Sequence, residues 1–174
     1  MKLRQINIEY SAEHDRLLMR IASGENQEVL LWLTRRCVKL MWQVLVNLMR
    51  SVPDIATQSH PEAKEALMGM RHEDALAKTD FSKPYQAPAV REHPLGSEPV
   101  LVARMQTKRA ENGSFVLTLL PAKGQGINLN LDEALLHSLC GLLRKIVEKT
   151  DWQLALDWPT AATLVKTEER RTLN

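Results

Sequence analysis

The side chains able to do chemistry in this chain are scattered. One cluster of titratable residues is His72-Glu73-Asp74. It falls in a stretch, Glu62 to Lys78, whose apolar positions (Ala66, Leu67, Met70, Leu76, Ala77) read as a helix. Successive helical residues point about 100° apart, so these three cannot converge on one metal ion. Lys123-Gly124-Gln125-Gly126 has the makings of a tight turn, and neither Gly-x-Gly-x-x-Gly nor a Walker sequence is present to cradle a phosphate. Cys37 and Cys140 sit among apolar neighbours and read as buried structural thiols. A nucleophilic cysteine needs a nearby base and partial exposure; His137, three positions before Cys140, is the only local candidate. There is no Cys-x-x-Cys, His-x-His or His-Glu-x-x-His, and no nucleophile elbow around any serine. The expectation is a protein with no catalytic residue, no cofactor and no metal. An enzyme of unrecognised type would require carboxylates brought together from separate strands.

Composition agrees with an ordinary folded chain. It has 174 residues, 44% hydrophobic and 25% charged, with a formal net charge of +2. No run of 18 apolar residues occurs, so no membrane-spanning helix is expected. The first residues, Met1-Lys2-Leu3-Arg4-Gln5-Ile6-Asn7-Ile8, alternate polar and apolar too early for a signal peptide. Two cysteines cannot make a disulfide framework, and a reduced, cytoplasmic setting is the expectation. The charge is uneven: residues 1–49 carry +2, 50–99 carry −2, 100–150 carry +3 and 151–174 carry −1. This mild bias permits an anionic partner but lacks the strongly basic footprint of a dedicated nucleic-acid binder.

The elements that would position any site follow from an internal repeat. Residues 12–49 fall on 110–147 after a shift of 98 positions without a gap. Ala12-Glu13-His14-Asp15 meets Ala110-Glu111-Asn112-Gly113, and Asn-Gly is a strong hairpin signal because both residues tolerate positive φ. Leu17, Met19 and Ile21 meet Phe115, Leu117 and Leu119; Val29, Leu31 and Leu33 meet Ile127, Leu129 and Leu131. Thr34 and Asp132 both stand where a helix N-cap belongs. Val44, Leu45, Leu48 and Met49 meet Leu142, Leu143, Ile146 and Val147.

The expected fold is therefore α+β, a tandem duplication of a βββα unit. Two antiparallel sheets carry two packed helices and are joined by a Pro-rich connector. The first repeat spans 1–50, with strands near 3–10, 16–22 and 28–33 and a helix at 35–50. The connector is 51–99, with six of the eight prolines and one short helix that Pro61 would open behind Ser59 or His60. The second repeat spans 100–150, with strands near 100–109, 114–120 and 126–131 and a helix at 133–149. The first strands align only after a one-residue slip. The tail is 151–174, in which Trp152, Leu154, Leu156 and Trp158 alternate as in a strand and must be buried. The two repeats are expected to share one globular domain.

Alternation along the strands assigns sheet faces. In the second repeat, Leu101, Ala103 and Met105 would point inward, leaving Arg104, Gln106, Lys108, Thr118, Asn128 and Asn130 on a polar, basic outer face without acids. In the first repeat the outer face holds Gln5, Asn7, Glu9, Leu18, Arg20, Leu30 and Trp32. Leu30 and Trp32 are out of place facing water. The connector or the tail could cover them; otherwise they mark a protein interface or a platform for stacking unpaired bases. The helix near 35–50 is apolar almost all the way round, which suits burial on more than one side or packing against a second subunit. The candidate interaction surface is Arg20, Leu30, Trp32, Arg104, Gln106, Lys108, Asn128 and Asn130.

Tandem units of antiparallel strands followed by a helix, packed helix to helix, resemble in topology the Whirly and Pur-type single-stranded nucleic-acid-binding domains. Those have four strands before the helix where three are counted here, and no sequence motif of either family is matched. The resemblance implies single-stranded DNA or RNA binding through Arg20, Trp32, Arg104 and Lys108. The residues themselves favour a non-enzymatic binding or assembly protein acting through its sheet faces, with a protein partner or self-association, because aromatic residues are only 5% and the cations lack companion rings.

Overall fold

The computed structural model describes residues 3–24, 26–79, 85–86 and 92–158. The expectations for 159–174 and for much of the connector between 80 and 91 lie outside the described residues. The chain is α+β, with two sheets of four and three strands and four helices among the described residues.

The first half runs β1 (Leu3–Ser11), β2 (Arg16–Ser23), β3 (Glu28–Leu33) and α1 (Arg35–Arg50). Alternation dictates the hairpin faces: Leu17, Met19, Ile21, Val29, Leu31 and Leu33 are buried on one side. Each such burial removes about 1.5–3 kcal/mol worth of apolar surface from water. Thr34 opens α1, its Oγ1 accepting the backbone N–H of Cys37 at 3.2 Å. The second half runs β5 (Arg104–Arg109), β6 (Phe115–Leu120), β7 (Ile127–Leu131) and α4 (Glu133–Val147), after a two-residue β4 (Val100–Leu101). Phe115, Leu117, Leu119, Ile127, Leu129 and Leu131 are buried, and Asp132 caps α4 by accepting from the N–H of Leu135 at 2.8 Å. Between the halves lie α2 (Pro53–Ala56) and α3 (Pro61–Lys78).

Local geometry recurs at a spacing of 98 residues. The non-glycine residues Asp15 and Asn26 have positive φ (48° and 57°), and the residues 98 further on are Gly113 and Gly124, with φ of 83° and 95°. The turn bonds Asp15 N–H to Ala12 C=O and Gly113 N–H to Ala110 C=O have the same spacing, as do the two caps. The pairs Leu17↔Leu33 and Phe115↔Leu131 open the two inner ladders identically. The outer hairpins differ by one residue: Ser11 pairs Arg16, whereas Arg109 pairs Phe115. The second turn is one residue longer than the first.

Several expectations are corrected. Residues 100–109 are not one strand. Val100 and Leu101 pair in parallel with Leu31 and Trp32, which makes the first sheet mixed, and the chain then crosses to the second sheet at Arg104. The crossing breaks the alternation there: Val102 is buried, while Leu101 and Ala103, assigned inward, are exposed. On α3 the buried residues are Glu65, Met68 and His72, and Met70 is 69% exposed. His60 precedes α3 without a side-chain capping bond. Trp152, Leu156 and Trp158 are buried as expected, yet 151–158 form no strand. Finally, α1 keeps a polar side at Arg36, Lys39, Gln43 and Asn47 while burying Val38, Met41, Leu45 and Met49.

The core is continuous. α1 packs against α4, α2 and α3, and α4 also packs against α3 and β1. Arg71 on α3 ties two neighbours, with 2.8 Å bonds to Asp54 of α2 and Glu133 of α4. The buried apolar residues of both halves and of the tail form one cluster.

Candidate interaction surface

The eight residues singled out from the sequence divide between two unlike faces. On the first sheet, Arg20, Leu30 and Trp32 share the outer face and are half-buried. Arg20 stands opposite Asn7 and Leu30, and Trp32 opposite Leu18 and Leu101. This face is furnished from within the chain. The His14 ring of the first turn stacks on Trp32, centroids 4.9 Å apart at 29°. The Arg20 guanidinium lies 3.8 Å from Glu9. Further along, Tyr85 donates to the fully buried carboxylate of Glu28 at 2.8 Å. The backbone of Gln86 meets the side chains of Gln5 and Arg4, and Glu92 forms an isolated parallel bridge with Gln27 beyond β3. Described connector residues therefore sit on or beside this sheet at both edges. Among the described tail residues, Trp152 donates to Asp15 and packs edge-on against Tyr10, while Trp158 lies among the helices.

The second sheet is different. Arg104, Gln106, Lys108, Asn128 and Asn130 are all exposed on its outer face. Thr118, half-buried between them, donates to Asn128 Oδ1 at 2.7 Å. Val116, between Lys108 and Asn130, is buried although it points to this side. The strand positions on this face carry two cations and no carboxylate. Nothing aromatic lies among them, so the face offers charge and hydrogen bonds rather than stacking.

Sequence reasoning missed the most unusual cluster. His72 on α3 and His137 on α4 are 5% and 1% exposed, with their Nδ1 atoms 3.2 Å apart. One ring must donate and the other accept, so the pair is arranged for two neutral imidazoles sharing one Nδ1–H. Trp158 stacks on His72 at 3.8 Å and 11°, and meets Trp42 of α1 edge-on. Burial, and the neighbouring His137 and Arg144, hold His72 down at about 4. Burial lowers His137 as well, against the pull of Glu133 at 3.9 Å. The Cys37 thiol is pushed up to about 11 by burial, and burial raises Cys140 too, so both are inert at neutral pH. No group of three potential metal ligands occurs among the described residues, and no helix among them is long and apolar enough to cross a membrane.

Comparisons with protein-family models, with curated proteins and with solved structures find no match to this chain.

Proposed function

We propose that this chain is a tandem duplication of a βββα unit that works as a non-enzymatic binding protein. The outer face of its second sheet is the contact surface for an anionic region of a protein partner. The duplication is supported by the coincidence, 98 residues apart, of two turn residues with positive φ, two caps and two strand registers. The observation that carries the binding reading is the exposure of Arg104, Gln106, Lys108, Asn128 and Asn130 on a face free of carboxylates. Polar side chains held on a rigid sheet lose less entropy on binding than the same groups on a loop. The equivalent face of the first sheet carries Glu9 and is partly taken up by His14, Tyr85 and Gln86. The two halves have thus diverged, one face serving the fold and the other left for a partner. The two thiols, buried and unpaired, suit a reducing compartment such as the cytoplasm.

Single-stranded DNA or RNA is the second reading, favoured by the same cations and by the resemblance to Whirly and Pur-type domains. Trp32, the ring it would use, already has His14 as a partner and lies on the other sheet. Binding would then rest on phosphates alone and fall steeply with salt.

The test is fluorescence anisotropy with labelled polyglutamate and labelled oligothymidine, on the wild type and on Arg104→Glu with Lys108→Glu. Binding of polyglutamate that the double variant loses supports the proposal. Binding of oligothymidine alone transfers it to the second reading, and binding of neither probe at low salt rejects both.

A further inference from the structure

Two grooves lie at corresponding places in the two halves. The first, of about 300 Å³, is lined by Leu3–Asn7 of β1 and by Leu135, Ser138 and Leu142 of α4. The second, of about 740 Å³, is lined by Val102–Gln106 around the start of β5 and by Cys37, Leu40 and Val44 of α1. The helix residues of the two grooves differ by 98 in number, and the strand residues by 99, the step that the longer turn introduces. Each helix thus forms a groove with the first strand of the other half.

The first groove is flanked by described residues from outside its strand and helix: Thr79 Oγ1 lies 2.9 Å from Ser138 Oγ, and the Gln86 N–H donates to Gln5 at 3.0 Å. Thr79 and Tyr85 help to line it. The second groove has no such flank among the described residues. Its counterpart of Ser138 is Leu40, a large apolar side chain 44% exposed, and Leu101 beside it is 42% exposed. Among the described residues β5 pairs only with β6, so none of them pairs with the backbone donors and acceptors of its other edge, beside the groove. The charged residues of the lining are Arg36 and Arg104, with no carboxylate.

We propose that the groove between α1 and this other edge of β5 docks an extended, acidic peptide segment of a partner protein. The segment seats an apolar side chain against Leu40 and Val44 and presents carboxylates to Arg36 and Arg104. Strand addition supplies affinity through the β5 backbone, and the apolar seat and the two cations supply selectivity. A second copy of this chain suits the groove less well, since two copies would bring the same cationic rims together. The inference rests on the binding-protein reading but places the peptide in the groove, on residues apart from Lys108, Asn128 and Asn130.

The experiment is selection of random displayed peptides on the full chain, repeated on Leu40→Glu, Arg36→Glu and Lys108→Glu. All three positions are exposed, and circular dichroism checks that each variant folds. The expected result is recovery of peptides with an apolar residue flanked by Asp or Glu. Their affinity should fall at least about tenfold in Leu40→Glu and in Arg36→Glu, a loss of about 1.4 kcal/mol, and stay near wild type in Lys108→Glu. Failure to recover any such peptide overturns the proposal. Peptides lost only in Lys108→Glu overturn the groove and leave the open-face reading standing. A concentration-dependent dimer abolished by Leu40→Glu assigns the groove to a second copy. Faster amide exchange in residues 159–174 on Leu40→Glu assigns it to the chain's own tail. Either of these last results also overturns the proposal.

Discussion

Burial holds the proton affinities of His72 and His137 below the ordinary histidine value. Facing the pair are Glu133 and Arg144 from α4, Arg71 from α3 and, through Arg71, Asp54 of α2; Trp158 and Trp42 add rings without charge. The unfolded histidine binds a proton near pH 6.5 and folded His72 only near 4, so between these values the unfolded state holds more protons. The pair's contribution is complete above about pH 6.5 and is eroded as pH falls toward 4. For His72 alone the change is on the order of 3 kcal/mol. Urea denaturation at pH 7 and pH 5 should show the loss in the wild type and a much smaller one in His72→Asn. Equal pH dependence in the two would remove the pair from the account. A second residue-scale prediction concerns Gly126. A Cβ there would lie 2.1 Å from the Leu119 carbonyl oxygen, in the backbone of the paired strand. Gly126→Ala should therefore cost about 1–3 kcal/mol, read from the same denaturation curves.

At the scale of elements, the strands and main helices were readable because their signals are local. Alternation marks β2, β3, β6 and β7; Thr34 and Asp132 stand directly before α1 and α4; Pro61 sits in the first turn of α3. Thr34→Ala and Asp132→Ala should each destabilise by about 1 kcal/mol in thermal melts, the usual cost of losing a capping oxygen. Asp132 also places a charge at a helix N-terminus, so its loss should be the larger of the two and should shrink with salt. The elements that misled are those whose environment changes partway along. Residues 100–109 alternate acceptably as a single strand, but the chain passes from one sheet to the other at Val102 and Ala103, and alternation carries no record of such a crossing. On α3 the apolar pattern is an incomplete guide: Met68 is buried but Met70 faces water, while Glu65 and His72 turn inward, where Arg50 and His137 meet them. His72 and His137 are 65 positions apart, and no periodicity connects them.

At the scale of the molecule, the two halves share one core. Leu45 and Leu143 are fully buried at matching positions of α1 and α4, within the one cluster that both halves share. Leu45→Ala and Leu143→Ala should each cost about 2–5 kcal/mol, and each should lower a single unfolding transition seen alike by tryptophan fluorescence and far-ultraviolet dichroism. Two transitions would mean that the halves fold independently. The candidate surface was legible only in part. Strand parity placed Arg104, Gln106, Lys108, Asn128 and Asn130 at positions that are exposed on the second sheet, although Val116 on the same side is buried. The partial cover of the first came from residues distant in sequence, Tyr85 and Gln86, and from His14 folding back onto Trp32. The groove beside β5 could not be foreseen, because it exists only where α1 meets a strand that begins 54 residues after that helix ends.

The central claim is that the second sheet, and not the first, presents this protein's contact surface. Amide chemical-shift mapping of the full chain during titration with polyglutamate tests it most directly. The account predicts shifts concentrated at residues 104–108, 118 and 128–130, diminishing as salt is raised. Shifts centred on residues 18–32 around Trp32, or none at low salt, would contradict it.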